Sequence, residues 1–495
     1  MQRPRASWTW ALPAIYLALL VLHASLLHLP YYWDEAGYFV PAGLDILRHG
    51  WWVPHTTLPN GHPPLVMSCL ALAWRLCGFH FWVTRSAMLG FEALFIWGVF
   101  RLGEAFRGWR VGAVAAVLLA LHPLVEAQGS LANLDLAAAA WMVWALVWRW
   151  RGRQSAYALL AVAACLSKET VLVLPATLAV WDLCRCRAWR PLLPRLAAHL
   201  APAVALLAWF TYYHHQTGYW MGNAGFLSYN VGTVRSLPRI GLALLRRIWQ
   251  LVGYNGMLLV SALAWLAWWR RPAGARTEVQ HPEQAQELLL LIAASVVFHA
   301  LLGGAVLARY LLPALALFLV LAASSLERLP RRVLLACGLL LVANWFWRAP
   351  YPYPYEDNLA YADFVRLHQQ AATAAARAPG PVATVWPATN ELTTPDLGYV
   401  RQPVATVPME DFTPAGYHLP PGAGSALLYS REYQPRRDIS TWLPAWRRAG
   451  DEYFAHQAPL PEAELVRRAG GKVLGRWQLG GQWVTLVQIA GHGPR

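Results

Sequence analysis

The stretch YYWDEAGYFVPAGLDILRHGWWVPHTTLPNGHPPL, residues 31–65, decides how the chain is read. It follows directly on an apolar run, ALPAIYLALLVLHASLLHLP from Ala11, of roughly the 20 residues that cross a bilayer. Asp34 and Glu35 therefore stand side by side where the chain leaves hydrocarbon, among tyrosines and tryptophans that favour the membrane interface.

Composition agrees with a membrane reading. The chain has 495 residues, 57% hydrophobic and only 14% charged, outside the range of soluble globular proteins. Its net charge of +15 is spread in short arginine clusters between apolar runs. That is a topology signal rather than a nucleic-acid-binding tract. Six cysteines, Cys69, Cys77, Cys165, Cys184, Cys186 and Cys337, include no CxxC pair and none in the polar C-terminal part. A disulfide scaffold there and a CxxC-type zinc site are excluded. The basic start and long apolar run at the N-terminus read as an uncleaved first helix rather than a signal peptide.

Eleven apolar stretches, near 8–29, 80–103, 109–126, 131–150, 154–167, 169–184, 195–215, 247–269, 286–306, 309–327 and 332–349, are expected to span. PLVMSCLALAWRLCGF from Pro64 is too short and is expected to lie along the interface. Arg3 and Arg5 place the N-terminus in the cytoplasm. Arg101, Arg107 and Arg110, RWRGR at 149–153, RCRAWRPLLPR at 185–195, RRPAGAR at 270–276 and ERLPRR at 327–332 then fall on the same side. This satisfies the positive-inside rule with the C-terminus outside. The expected fold class is a polytopic α-helical membrane protein with about 11 transmembrane helices. Residues 1–349 form the membrane domain with its outer loops, and 350–495 an extracytoplasmic α/β domain. In the latter, PVATVW, SALLYS and WVTLVQIA read as strands and NLAYADFVRLHQQAATAAARA as helix.

On this topology the unusual polar residues collect on the outer side: Asp34, Glu35 and His62, then Glu126, Gln128, Asn133 and Asp135 in HPLVEAQGSLANLDLAAAA. Lys168 and Glu169 in ACLSKETVLVLPA, the His214–His215 pair, and Arg309 with Tyr310 in AVLARYLLPALAL follow. Ionisable residues at membrane depth are costly and line cavities or pathways. Lys168 stands out because only it and Lys472 are lysines among 41 basic residues. A compact ammonium suits a phosphate; the plainer reading is a snorkelling lysine paired with Glu169. Each other residue has its plain reading too: Asp34 and Glu35 as charges at an interfacial helix N-terminus, His62 as a turn residue, Asp135 as a first-turn charge, and Arg309 as a headgroup anchor with Tyr310 beside it.

WDEAGYF, an interfacial helix, HPPL, a second interfacial helix, then LANLDLAAAA, LSKET and ARYLLPALAL come in an order that resembles the GT-C glycosyltransferases. The likeness is to the protein-mannosyltransferase-like and aminoarabinose-transferase-like branch, over residues 10–330. It implies transfer of a sugar from a polyprenyl-phosphate donor to an acceptor hydroxyl on a lipid, glycan or protein, with inversion. Asp34 would be the base that accepts the hydroxyl proton, and Asp135 a second catalytic carboxylate positioning acceptor or sugar. Lys168 and Arg309, with Tyr310, would meet the lipid phosphate; Glu35 joins the substrate-binding residues as a mainly local electrostatic and structural group. The aminoarabinose-transferase branch has a metal-holding Glu near the His62 position. Here His62 would substitute, with His214 or His215 as partner to a divalent metal such as zinc. The rarity of lysine, with abundant Ala, Pro and Trp, points to a GC-rich bacterium and its plasma membrane. A transporter or flippase is the competing reading, though no internal symmetry is visible. A non-catalytic scaffold is the other, and it would need no such collection of charges.

Overall fold

The run of alanines in LDLAAAAWMVWALVWRW illustrates how the bundle is made. Ala137, Ala138, Ala139 and Ala140 are all fully buried, and side chains this small let neighbouring helices approach closely. In the computed structural model, which describes residues 10–59, 61–186, 188–222, 236–270, 281–302, 304–435, 438, 442, 444–454 and 458–489, this stretch is the helix Leu134–Trp150. Arg3, Arg5, Arg187 and the cluster at 271–276, which carry part of the topology argument, lie outside the described residues.

The chain forms two compact units: residues 1–27 with 42–345, and residues 28–41 with 346–495. Helix occurs in each of the eleven apolar stretches of the first unit. Five of the described helices are long and apolar enough to cross a membrane: Phe81–Arg107, Trp189–Thr217, Leu237–Trp269, Pro282–Leu301 and Ala308–Leu326. A sixth arises if the pair Trp109–Ala120 and Pro123–Ser130, bent by 67°, is one span. Pro123 cannot continue the preceding helix. His122 closes the break, its Nδ1 accepting the Leu124 N–H at 3.2 Å. The chain is thus a polytopic helical membrane protein with a C-terminal unit built on a sheet. Leu65–Cys77, expected along the interface, is a separate 13-residue helix.

Phe81–Arg107 and Trp109–Ala120 touch backbone to backbone, because a Cβ on Gly103 would lie 2.7 Å from Gly112 Cα. At one end of the bundle a buried network ties helices together. Arg149 forks onto Asp182 at 2.8 and 3.0 Å and onto Glu287 at 3.1 Å. His199 Nε2 lies 3.1 Å from Asp182, and Tyr157 Oη 2.6 Å from His199 Nδ1. Removing one member of such a network typically costs ~3–5 kcal/mol, because its partner is left buried and uncompensated. Arg149 and Asp135 are fourteen residues apart on one helix, so the network lies ~21 Å along the axis from Asp135 at 1.5 Å per residue. All six cysteines are free.

The second unit is a mixed five-stranded sheet in the order β2-β1-β3-β5-β4. The strands are β1 Val382–Thr384, β2 Thr406–Pro408, β3 Ser425–Tyr429, β4 Lys472–Leu479 and β5 Gln482–Gln488. β1 runs parallel to β2 and β3, whereas β5 runs antiparallel to β3 and β4. The helix Ala360–Ala375 covers it with Phe364 and His368, both packed on Tyr429 of β3. β1, β3, β5 and this helix are the elements legible in the sequence. The two others are the edges: β2 has three residues, and β4 is largely exposed, so neither shows the buried run or clean alternation that marks a strand.

Residues 28–41 belong to this unit. Tyr399 Oη donates to the Tyr31 carbonyl at 2.9 Å, and the Tyr32 ring meets Phe364 edge-on with centroids 5.3 Å apart. The start of the first loop is thereby held by the C-terminal sequence.

Candidate functional site

Asp135 lies in the first turn of Leu134–Trp150, behind Asn133 in extended conformation, where the helix dipole favours a carboxylate. Lys168 ends the helix Gln154–Ser167 in extended conformation and opens the short 3-10 helix Glu169–Leu172. Arg309 and Tyr310 sit in a second 3-10 turn, Ala308–Leu311. These breaks bring the side chains to one end of the first unit. Lys168 Nζ is 3.8 Å from Asp135 Oδ1 and Arg309 Nε is 3.3 Å from Asp135 Oδ2. Asp135 thus places two cations, one on each oxygen. Lys168 pairs with Asp135, while Glu169 bonds His62 Nδ1 at 2.9 Å.

Tyr310 is the centre of this cluster. Lys168 Nζ lies 5.1 Å from its ring centroid, Arg247 5.7 Å and Arg309 5.8 Å, distances at which the ring's negative face attracts cations. All three are buried. Arg247 donates to the Leu307 carbonyl at 2.6 Å and to Gln250 at 3.0 Å, and no carboxylate pairs with it among the described residues. A small pocket opens beside Asp135, lined also by Thr170, Ser295, His299, Tyr310 and Pro313. The arrangement concentrates buried positive charge beside a cavity at a helix-end cluster. Such charge is stable when it meets an anion.

Arg247 was not legible as a site residue. In LPRIGLALLRRIWQLV the arginines resemble an ordinary basic pair, yet Arg239, Ala243, Arg247 and Leu251 are buried at every fourth position of Leu237–Val252. Two arginines eight apart on the buried face were the available signal.

Asp34 lies in the second unit, at the N-cap of a π-helix, Glu35–Phe39. Trp33, immediately before it, has φ +45°, a left-handed conformation that costs a non-glycine residue energy and clusters at functional sites. Single-turn π segments do the same. Glu35 differs from its expected substrate-binding place: its side chain is fully buried, and its Oε2 accepts the Tyr32 N–H at 2.7 Å. It acts on the loop's own backbone, and the adjacent Asp34 is half-buried. Burial and the nearby Asp34 charge push the Tyr38 phenol pKa up, so Tyr38 stays protonated beside the carboxylate.

The expected metal set does not assemble. His62 is taken by Glu169, and His214 stacks on Trp220 with centroids 4.3 Å apart and planes 6° from parallel. His215 is exposed. No three His, Cys, Asp or Glu side chains are placed to hold a metal among the described residues.

Neither a protein-family model nor a curated protein matches the chain. The fold does match solved structures of ArnT from Cupriavidus metallidurans. In the apo state ArnT superposes with a TM-score of 0.59 at 17% identity, covering 99% of this chain and 100% of that one. Bound to undecaprenyl phosphate, it gives 0.58 at 15% identity with the same coverage. The GT-C resemblance read from the motifs holds at the level of the fold.

Proposed function

We propose that the chain is an integral-membrane glycosyltransferase that moves a sugar from a polyprenyl-phosphate donor to an acceptor hydroxyl at the outer face of the plasma membrane. The observation that carries this is the buried cluster of Lys168, Arg247 and Arg309 around Tyr310, in which the carboxylate paired with cations is Asp135. Support comes from the fold shared end to end with ArnT, one structure of which binds undecaprenyl phosphate. On this reading the bundle has eleven spans, with the N-terminus in the cytoplasm and the sheet unit outside.

The chemistry assigns each group one task. The acceptor oxygen attacks the anomeric carbon from the side opposite the phosphate, and the configuration inverts. Asp34 accepts the hydroxyl proton as that bond forms. The C–O bond to phosphate breaks, and the polyprenyl phosphate leaves as the anion. Lys168, Arg247 and Arg309 stabilise its growing charge, held in place by Asp135 and the Tyr310 ring.

Transfer by the purified protein from a radiolabelled polyprenyl-phosphate sugar tests the reading. General-base removal typically costs ~10²–10⁴ in rate, so Asp34→Asn is expected to lose turnover by that order while remaining folded. Glu35→Gln keeps an oxygen for the Tyr32 N–H and should lose far less. Near-parental turnover in Asp34→Asn would show the base assignment to be wrong.

A further inference from the structure

Trp33, Tyr38 and Trp386 form one connected aromatic group within the second unit, on and beside the segment that carries Asp34. Trp33 and Trp386 meet edge to face with centroids 5.3 Å apart and planes at 82°. Tyr38 lies 5.5 Å from Trp386 at 40°. The Trp386 indole rests directly on Gly37, where a Cβ would come within 2.4 Å of the ring. Arg431 covers one side of Trp33 at 5.4 Å.

All three rings are half-buried, so part of each remains open to solvent. Their polar atoms are also unspent: no described residue hydrogen-bonds the indole N–H of Trp33 or Trp386, or the Tyr38 hydroxyl. Buried tyrosines of the same unit behave otherwise. Tyr355 donates to Ser430 at 2.8 Å, and Tyr399 to Tyr31 at 2.9 Å. Half-buried aromatic rings with three donors that no described residue uses, near a carboxylate, match one ligand chemistry closely. A pyranose ring offers a face of polarised C–H bonds to the negative face of an aromatic ring. Its hydroxyls around the rim accept from indole N–H and phenol O–H groups.

We propose that Trp33, Tyr38 and Trp386 form a subsite for a pyranose ring whose hydroxyl is presented to Asp34. The acceptor would then be a carbohydrate, free or lipid-linked, rather than a serine or threonine side chain. This rests on the transferase reading only in naming the ring as the acceptor; the binding of a pyranose stands apart from it.

The test is saturation-transfer NMR on the full-length protein in detergent micelles. The probes are methyl glycosides of glucose, galactose, mannose and N-acetylglucosamine, with open-chain sorbitol as control. At least one pyranoside should receive saturation on the C–H protons of one ring face, well above sorbitol. Trp386→Ala should weaken that signal roughly tenfold, whereas Trp386→Phe keeps a ring and should retain most of it. Thermal unfolding of each variant, followed in parallel, identifies one that has lost its fold, and the Phe variant then carries the comparison. Absence of any pyranoside signal above sorbitol, or a signal unchanged in folded Trp386→Ala, overturns the subsite. A pyranoside signal in a protein that shows no transfer supports the subsite and removes the transferase reading alone.

Discussion

Arg247 is the third cation around Tyr310, and its position can be probed without touching Asp135. A hydrogen bond to a charged group contributes ~1.5–3 kcal/mol, which is at least about tenfold in affinity. Arg247→Gln should therefore raise KM for a polyprenyl-phosphate donor by roughly tenfold or more, with a smaller change in kcat, in steady-state assays on the purified protein. Added lipid phosphate without sugar should also inhibit the variant less strongly. An unchanged KM would remove Arg247 from the phosphate site. Lys168 differs in kind. Its ammonium is fixed at 3.8 Å from Asp135, so its loss disturbs the carboxylate as well as any phosphate.

The π-helix Glu35–Phe39 is the element that presents Asp34, and Gly37 is the residue that admits it. Any side chain there runs into the Trp386 indole, with ring atoms at 2.4–2.8 Å from the added Cβ. Overpacking of this kind typically costs ~1–3 kcal/mol. Gly37→Ala should accelerate hydrogen exchange across residues 35–39 and shift tryptophan fluorescence, with the helices of the first unit unaffected. Unchanged exchange at those amides would mean that Trp386 moves aside freely. Elsewhere in this unit, His368 Nδ1 and Glu391 Oε2 meet at 2.6 Å in full burial, joining the covering helix to Ala388–Thr393. That pairing anchors the segment just after Trp386.

At the scale of the whole molecule, topology decides which residues face one compartment. If the eleven-span reading holds, reporter fusions after Arg153 and after Tyr361 should report opposite sides of the membrane. Both on one side would break the shared outer face of Asp34, Asp135, Lys168 and Arg309. The Arg149 network bears on the same question through packing. Tyr157, Asp182 and Glu287 lie at the far ends of the helices that carry or adjoin Lys168, Thr170 and Ser295. It thus sets the axial position of those helix ends.

The class of molecule was legible from the residues alone, because apolar runs of membrane length and clustered arginines are local, additive signals. So were Asp135, Lys168, Arg309 and Tyr310, since charges next to apolar runs are conspicuous one at a time. Which partner each of them meets follows from folding. Lys168 and Glu169 are neighbours in the chain, yet they pair with Asp135 and His62, because the extended backbone at Lys168 points successive side chains apart. His62 pairs with Glu169 and His214 stacks on Trp220, partners that the spacing of these histidines along the chain does not indicate. Arg247 and Trp386 were easily passed over, one for want of weighing its eight-residue spacing from Arg239 and the other as one of 28 tryptophans. Their meaning comes from what folding places beside them, Tyr310 for the first and Gly37 for the second.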